Sequence, residues 1–320
     1  MQDGLKECLQ SVLNTNYPNF EVIFVDNGSI DGSVEYIKTN FIDNRIKIVS
    51  NSSNLGFSKG FNSGMRFSKG KYLALLSNDM TVKPDWLNNI IELMEKSPKV
   101  GLSGFKRLIY GTKEIIDGIG GNMYLCGRVW FFPPRGIVDS GQFETIRDDI
   151  EYIGGAMVIR RKTLEEIGLL DSDFYIFSED LDLCYRIRKQ GYQVLYVPGS
   201  EIYHRGQVTL TGMDPKGQYL EYMSNRSRVR FAIIHFRIQR VLATFLIDLG
   251  IFLLCNTKSK ILLLKGYLWN LKNIKVTLKR RSEYGPSPPF NCKYPVLPYS
   301  ISNVIMRVQK KQKYENQNSS

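Results

Sequence analysis

Three segments in the first eighty residues carry the pattern that most restricts the fold. FEVIFVD (20–26), RIKIVSN (45–51) and KYLALLS (71–77) read as strands, and segments of helical spacing separate them. The first helix is expected over 5–13, before the first strand. DGSVEYIKTNF opens on Asp31, suited to an N-cap, GFSKGFNSGMRFSKG closes at Gly70, and a helix over 84–96 carries Pro84 in its first turn. Strands alternating with helices imply an α/β fold: an open, mostly parallel sheet with helices on both faces.

Such sheets bind ligands beyond the carboxyl ends of their strands. Here those ends carry Asp26-Asn27-Gly28-Ser29, Asn51 to Asn54 with Gly56, and Asn78-Asp79. Each alone is ordinary turn chemistry; three together point to one crevice. Asp79 follows an apolar run, and an unpaired carboxylate there would be costly. It can cap a turn, bind a cation or pair with a basic side chain.

Beyond residue 100 the pattern turns irregular, a Gly- and aromatic-rich stretch of hairpins and loops up to about residue 136. EYIGGAMVIRRKTLEEIGLLD then sets a strand with two glycines, Gly154 and Gly155, before a short helix, and glycine permits close backbone approach. In FYIFSEDLDLCYRIRKQGYQVLYVPGSEIYH, Ser178 is placed to cap a helix whose first turn bears Glu179, Asp180 and Asp182. Complementarity to the helix dipole accounts for one of those acids.

Composition excludes several classes. With 320 residues, 43% of them hydrophobic, the chain can bury one large core, alone or with an appendage. Two histidines, His204 and His235, cannot build a three-His metal site. Five scattered cysteines without a Cys-x-x-Cys spacing suit reduced thiols and a cytosolic setting. The opening MQDGLKECLQSV does not read as a signal peptide.

Taken in order, LKECLQSVLNTNYPNFEVIFVDNGSIDGS, NLGFSKGFNSG, LLSNDMTVKPDWL, GGAMVIRR and FSEDLDLCYRIRKQGY with its following YVPGSEIYH resemble the family 2 glycosyltransferases of the GT-A fold. The similarity spans roughly residues 4–235, and the rhamnosyltransferase-like subset is nearest. The resemblance implies that Asp26 reads the uracil or thymine ring of a UDP- or dTDP-sugar, with Asn27 in the same donor site, and that Asn54 and Gly56 lie in the donor loop. Asn78 and Asp79 stand where the family has its metal motif, with Leu-Ser-Asn-Asp replacing Leu-Asn-Asn-Asp. Asp180 corresponds to the base of the Glu-Asp motif. Gly155, Glu179, Asp182 and His204 become candidate acceptor or diphosphate contacts, and His204 a second candidate metal ligand. The family's serine after that histidine is absent, which leaves Thr209.

The implied chemistry needs these residue types. Mg2+ or Mn2+, held by a carboxylate and phosphate oxygens, neutralises a diphosphate leaving group, and a carboxylate takes the acceptor hydroxyl's proton. A single displacement inverts the anomeric centre. The acceptor expected is a glycan or a polyprenyl-linked sugar. Family members begin with a strand reading about Val-Ile-Ile-Pro-Thr-Tyr-Asn, whereas this sequence starts in the helix that follows it. Its absence should leave neighbouring strands unpaired, through a start codon assigned too far downstream or a truncated remnant. A catalytically silent nucleotide-sugar binder is the alternative function. A dehydrogenase is disfavoured because no Gly-x-Gly-x-x-Gly follows a strand.

The resemblance suggests a catalytic domain over 1–230. Residues 226–320 hold 18 Lys+Arg against 3 Asp+Glu, where residues 1–225 hold 25 against 28. The apolar and basic region 231–285 has the composition of an interfacial helical hairpin on an anionic leaflet, with packing on the catalytic domain and membrane insertion as alternatives. No nucleic-acid-reading motif accompanies the charge. The expectation is a cytoplasmic enzyme, peripheral on the inner face of the membrane. Residues 286–320 form a Pro-, Gln- and Asn-rich tail.

Overall fold

A computed structural model describes residues 2–112, 114–206, 214 and 216–285. Helix α1 (Gln2–Leu13) precedes β1 (Val22–Asp26), α2 (Ser33–Asn40), β2 (Ile46–Ser50) and α3 (Gly56–Phe67). Then come β3 (Tyr72–Leu75), β4 (Met80–Val82), α4 (Asn88–Lys96), β5 (Val100–Ile109), β6 (Ile116–Gly118), β7 (Gly120–Met123) and β8 (Val129–Phe132). After β9 (Met157–Arg160) follow α5 (Arg161–Ile167), α6 (Glu179–Lys189) and β10 (Gln193–His204). Four helices end the described chain: α7 (Gln218–His235), α8 (Ile238–Leu254), α9 (Thr257–Lys272) and α10 (Ile274–Tyr284).

The α/β class is the expected one, with a mixed sheet. The main sheet runs β3-β9-β5-β10-β4, with β6 on β5. Of its pairings β5–β10 is parallel, while β3–β9, β9–β5, β10–β4 and β5–β6 are antiparallel. Strands β1 and β2 pair in parallel as a separate ladder. Among the described residues β1 has no ladder partner but β2, and β3 none but β9. A cleft of about 2880 Å³ opens between these units, lined by apolar side chains such as Leu9, Val25, Leu73 and Leu75 and continuing to the polar strand ends.

Two apolar layers cover the main sheet. Leu181, Leu183, Ile187, Phe231 and Ile234 pack on one face, and Trp86, Ile90 and Met94 on the other. A small third cluster, Leu5, Leu9 and Ile37 with Phe24 and Ile48, ties α1 and α2 to the β1–β2 pair. Central β5 was hidden in the irregular stretch because Ser103, Lys106 and Arg107 interrupt its apolar run, yet all three are buried. Lys106 reaches Asp139 at 2.8 Å and also pairs with Glu144.

Local details depart from expectation. The helix expected from Pro84 begins at Asn88, because residues 84–87 form turns. Gly32 rather than Asp31 caps α2, in the left-handed conformation open to glycine. Ser178 does precede α6, but its side chain makes no cap bond.

Helix α7 runs through the boundary expected at residue 230, and its arginines point inward. Arg230 is fully buried, 3.0 Å from both Asp171 and Asp173 and 2.9 Å from the Thr277 hydroxyl of α10. Arg228 meets Asp248 of α8 at 2.5 Å, and Arg226 lies 3.7 Å over the Trp269 ring of α9. Gly266 lets α9 close onto α7: a Cβ there would meet the Arg226 amide nitrogen at 3.1 Å. Part of the C-terminal basicity therefore serves as internal clamps. The expected tail 286–320 lies outside the described residues.

Arg230→Ala should strip Asp171 of its nearest cation and destabilise the protein by about 3 kcal/mol, the low end for a broken buried pair, because Arg280 stands 3.8 Å from the same carboxylate. A urea midpoint unchanged from wild type would contradict this.

Candidate active site

The ends of β1 and β2 are stitched together by amide side chains. Asn27 Nδ2 donates to Asn54 Oδ1 and to the Gly56 carbonyl, both at 3.1 Å. Asn27 Oδ1 accepts from Asn51 Nδ2 at 3.2 Å and from the Leu55 amide at 3.1 Å. Asn54 Oδ1 in turn accepts from the Gly56 amide at 2.9 Å. Asn27 and Asn54 thus shape the cleft wall through bonds to each other and to nearby backbone. Asp26, buried at the end of β1, accepts from the Ser29 amide at 3.0 Å and holds the turn. Gly28 is required in that turn: its φ is +77° and a Cβ would lie 2.6 Å from the Ser53 carbonyl carbon.

The start of α3 is joined to the segment before α6. The Tyr175 carbonyl accepts from the Phe57 amide at 2.7 Å, and the Tyr175 ring lies so close to Gly56 that a Cβ would meet it at 2.4 Å. Tyr175, Phe177 and Ser178 have positive φ, at 64°, 67° and 65°. Side chains seldom adopt this left-handed backbone, and such residues cluster at functional segments. The segment delivers Glu179 and Asp180 to the cleft.

Asp180 rests against the Cα of Gly154, where an added Cβ would stand 2.1 Å from Oδ2; its Oδ1 accepts from the Leu181 amide at 2.7 Å. Burial pushes its carboxyl up to about 6, against the pull of that amide and Arg107. Glu179 is raised well above the usual carboxylate range by burial and by the neighbouring Asp180. Its Oε2 is buried with no partner among the described residues. Asp182 does not join them. It is fully buried, 2.8 Å from Arg186 and 2.8 Å from His235 Nε2, and fastens α6 to α7. Those bonds account for Asp182 without any ligand.

Opposite them, Asp79 sits between β3 and β4 with Oδ2 3.3 Å from His204 Nε2. His204 Nδ1 is 2.9 Å from Asp117 Oδ2, and Arg135 Nε is 2.8 Å from Asp117 Oδ1. Arg107 Nε stands 3.3 Å from Asp117, and its Nη1 donates to the Gly154 carbonyl. Gly155, with φ +80°, lines the cleft 3.3 Å from Arg107 Nη1, measured from an ideal Cβ. Of the openings the sequence left for Asp79, pairing with a basic side chain is visible here. The other oxygen, Oδ1, is buried and unpartnered among the described residues. No cluster of three His, Cys, Asp or Glu suited to a metal occurs among the described residues. A cation at this point would thus draw on Asp79, whose Oδ1 suits that arrangement, and on His204 only after its imidazole gives up a proton, and would take its remaining ligands from a substrate. Asn78, exposed, lines the same cleft, and Thr209 lies outside the described residues.

Sequence reasoning missed Arg107, Asp117, Arg135 and Tyr175. The available signal was a charged residue inside an apolar strand, in LSGFKRLIY and again in EIIDGIGG, because buried charges are paired.

The His204 imidazole is pushed up to about 9: burial opposes its charge, and hydrogen bonds to Asp117 and Asp79 outweigh that. Its folded value thus exceeds the ordinary 6.5, so the stabilisation is complete below about pH 6.5 and lost as pH rises through 9. Chelator-treated protein should lose thermal stability between pH 6.5 and 9, and His204→Gln should flatten that slope. Equal slopes would remove His204 from the ion-pair chain.

The family model described as Glycosyl transferase family 2 matches residues 2–168, and that described as Glycosyltransferase like family 2 matches residues 144–226. An uncharacterized glycosyltransferase of Haemophilus influenzae is 29% identical over 58% of this chain and 57% of its own length. The O-antigen biosynthesis protein RfbC of Myxococcus xanthus is 26% identical over 63% of this chain and 16% of its own. The chain thus spans little more than half of one relative and a small part of the other. Among solved structures, GalNAc-T7 with UDP, GalNAc and Mn2+ superposes with a TM-score of 0.58 at 18% identity, covering 74% of this chain and 46% of that one. That likeness concerns the GT-A fold.

Proposed function

This chain belongs to glycosyl transferase family 2, and from that premise we propose that it moves a sugar from a nucleoside-diphosphate donor to a hydroxyl of a glycan or polyprenyl-linked acceptor, inverting the anomeric centre. One observation carries the reading: Asp79, with a buried oxygen unpartnered among the described residues, and Asp180, with a raised carboxyl, line the same cleft.

Each group has a role that its surroundings suit. The loops of Asp26, Asn27, Asn54 and Gly56 form the wall for the base and ribose of a UDP- or dTDP-sugar, with rhamnose the sugar singled out by the motif order. Asn78 completes that side. Asp79 and His204 are suited to hold Mg2+ or Mn2+, which when bound would offset charge on the departing diphosphate. Asp180 takes the acceptor proton, and its position against Gly154 fixes the carboxylate. Glu179 and Gly155 border the acceptor space. GalNAc-T7 was solved with UDP and Mn2+, and the O-antigen role of the Myxococcus relative favours a polysaccharide product. A lipid-linked acceptor would place the enzyme at the cytoplasmic face of a membrane.

Asp79→Asn should weaken Mn2+-dependent binding of UDP or dTDP by at least about tenfold, the range for a perturbed metal site, as calorimetry would show. Unchanged affinity would take Asp79 out of the site.

Asp180→Asn should bind donor normally and transfer about 10²–10⁴-fold more slowly. Because the base acts deprotonated and its carboxyl lies at about 6, wild-type transfer should decline as pH falls through 6. A pH-independent rate there, or full activity of Asp180→Asn, would assign the base to Glu179 or another group.

A further inference from the structure

Helix α8 is built inside out. Its buried residues are polar, Thr244 and Asp248, whereas Leu242, Phe245, Leu246, Leu249, Leu253 and Leu254 are each about half exposed or more, at 48–69%. Arg240, Thr244 and Asp248, spaced by four, form one stripe along the helix. Thr244 Oγ1 bonds the Arg240 carbonyl at 2.8 Å, Arg240 Nε donates to the Leu125 carbonyl at 3.2 Å, and Asp248 accepts from Arg228 at 2.5 Å and the Tyr267 hydroxyl at 2.7 Å. The buried polar stripe fixes the rotation of the helix, so the apolar face is held outward by internal ion pairs.

That face extends beyond one helix. Of 21 large apolar side chains exposed among the described residues, 13 lie on α8, α9 and α10. The charges on them are one-sided: residues 237–284 contain ten Lys+Arg, of which Arg240 and Arg281 bond backbone carbonyls of the protein and Arg280 pairs with Glu283, against two acids, Glu283 and Asp248, which is buried in its pairs. No helix among the described residues is long and apolar enough to cross a membrane.

We infer that the outward face of α8 with the adjoining face of α9 docks into the headgroup and upper acyl region of an anionic lipid leaflet, lying along it. An apolar face on helices that also carry the exposed Lys258, Lys265, Lys272, Lys275 and Lys279 matches a leaflet in both of its layers. The surface stands on its own exposure and charge, independently of the transfer reaction. It also bears on the cleft: Tyr124 and Arg228, which bond or adjoin α8 through Arg240 and Asp248, line that opening.

The test uses the full chain and co-sedimentation with vesicles of phosphatidylcholine alone or mixed with phosphatidylglycerol. Wild type should partition onto the mixed vesicles and keep part of its binding at about 1 M salt, where charges are screened within about 3 Å. The double variant Leu246→Asp/Leu253→Asp should lower partitioning about tenfold or more, with an unchanged circular dichroism spectrum. Equal partitioning of the variant, or binding abolished by salt, would overturn apolar docking. So would a wild-type chain that ignores vesicles and sediments as a dimer split by Leu246→Asp, which would assign the face to a second copy.

Discussion

The bond between His204 and Asp117 holds the architecture of the cleft together. It joins the end of β10 to β6, and through Arg107 it reaches the carbonyl of Gly154, the residue against which Asp180 is placed. Asp79, His204, Asp117 and Arg107 alternate in charge along one chain, so each buried group is met by its neighbour. The wall that carries Asp79 and the wall that carries Asp180 are therefore set by a single electrostatic series.

The strand ends of the cleft were legible in the sequence, whereas Arg107 and Asp117 were not. Asp26, Asn54 and Asp79 followed apolar runs, and the topology of an α/β sheet gathers strand ends. The Glu-Asp pair could be located because it opens a helix. Asp182 could not be told from Asp180 by pattern, since both stand on the first turn; burial beside Arg186 and His235 separates them. The long strand β5 was obscured by Lys106 and Arg107, whose partners Asp139 and Asp117 come later in the chain. Pairings of that kind are tertiary, and local periodicity has no access to them. The arginines of α7 raise the same difficulty. As composition they suggest a basic surface, and as structure they are internal clamps.

Three left-handed residues just ahead of α6 show where backbone strain is accepted. Tyr175, Phe177 and Ser178 would each relax in an isolated peptide. Here the Tyr175 carbonyl is taken by the first amides of α3, and Ser227 of α7 bonds the Phe174 and Ile176 carbonyls at 3.2 and 2.9 Å. Two helices distant in sequence hold the segment that presents Asp180, so the C-terminal helices contribute to the geometry of the cleft as well as to the surface.

The division of the sheet into two ladders has a consequence for how the protein breathes. The β1–β2 pair is joined to the main sheet by side chains and by the Tyr175 carbonyl, without a ladder between β1 and β3, and its own apolar cluster is small. Amide hydrogens of Val22–Asp26 and Ile46–Ser50 should therefore exchange with solvent deuterium through a low-energy opening of that unit, while the β5 and β10 amides wait for global unfolding. The β1–β2 wall of the cleft is then the first cooperative unit to come apart, and a ligand seated on it would be the element that slows its exchange.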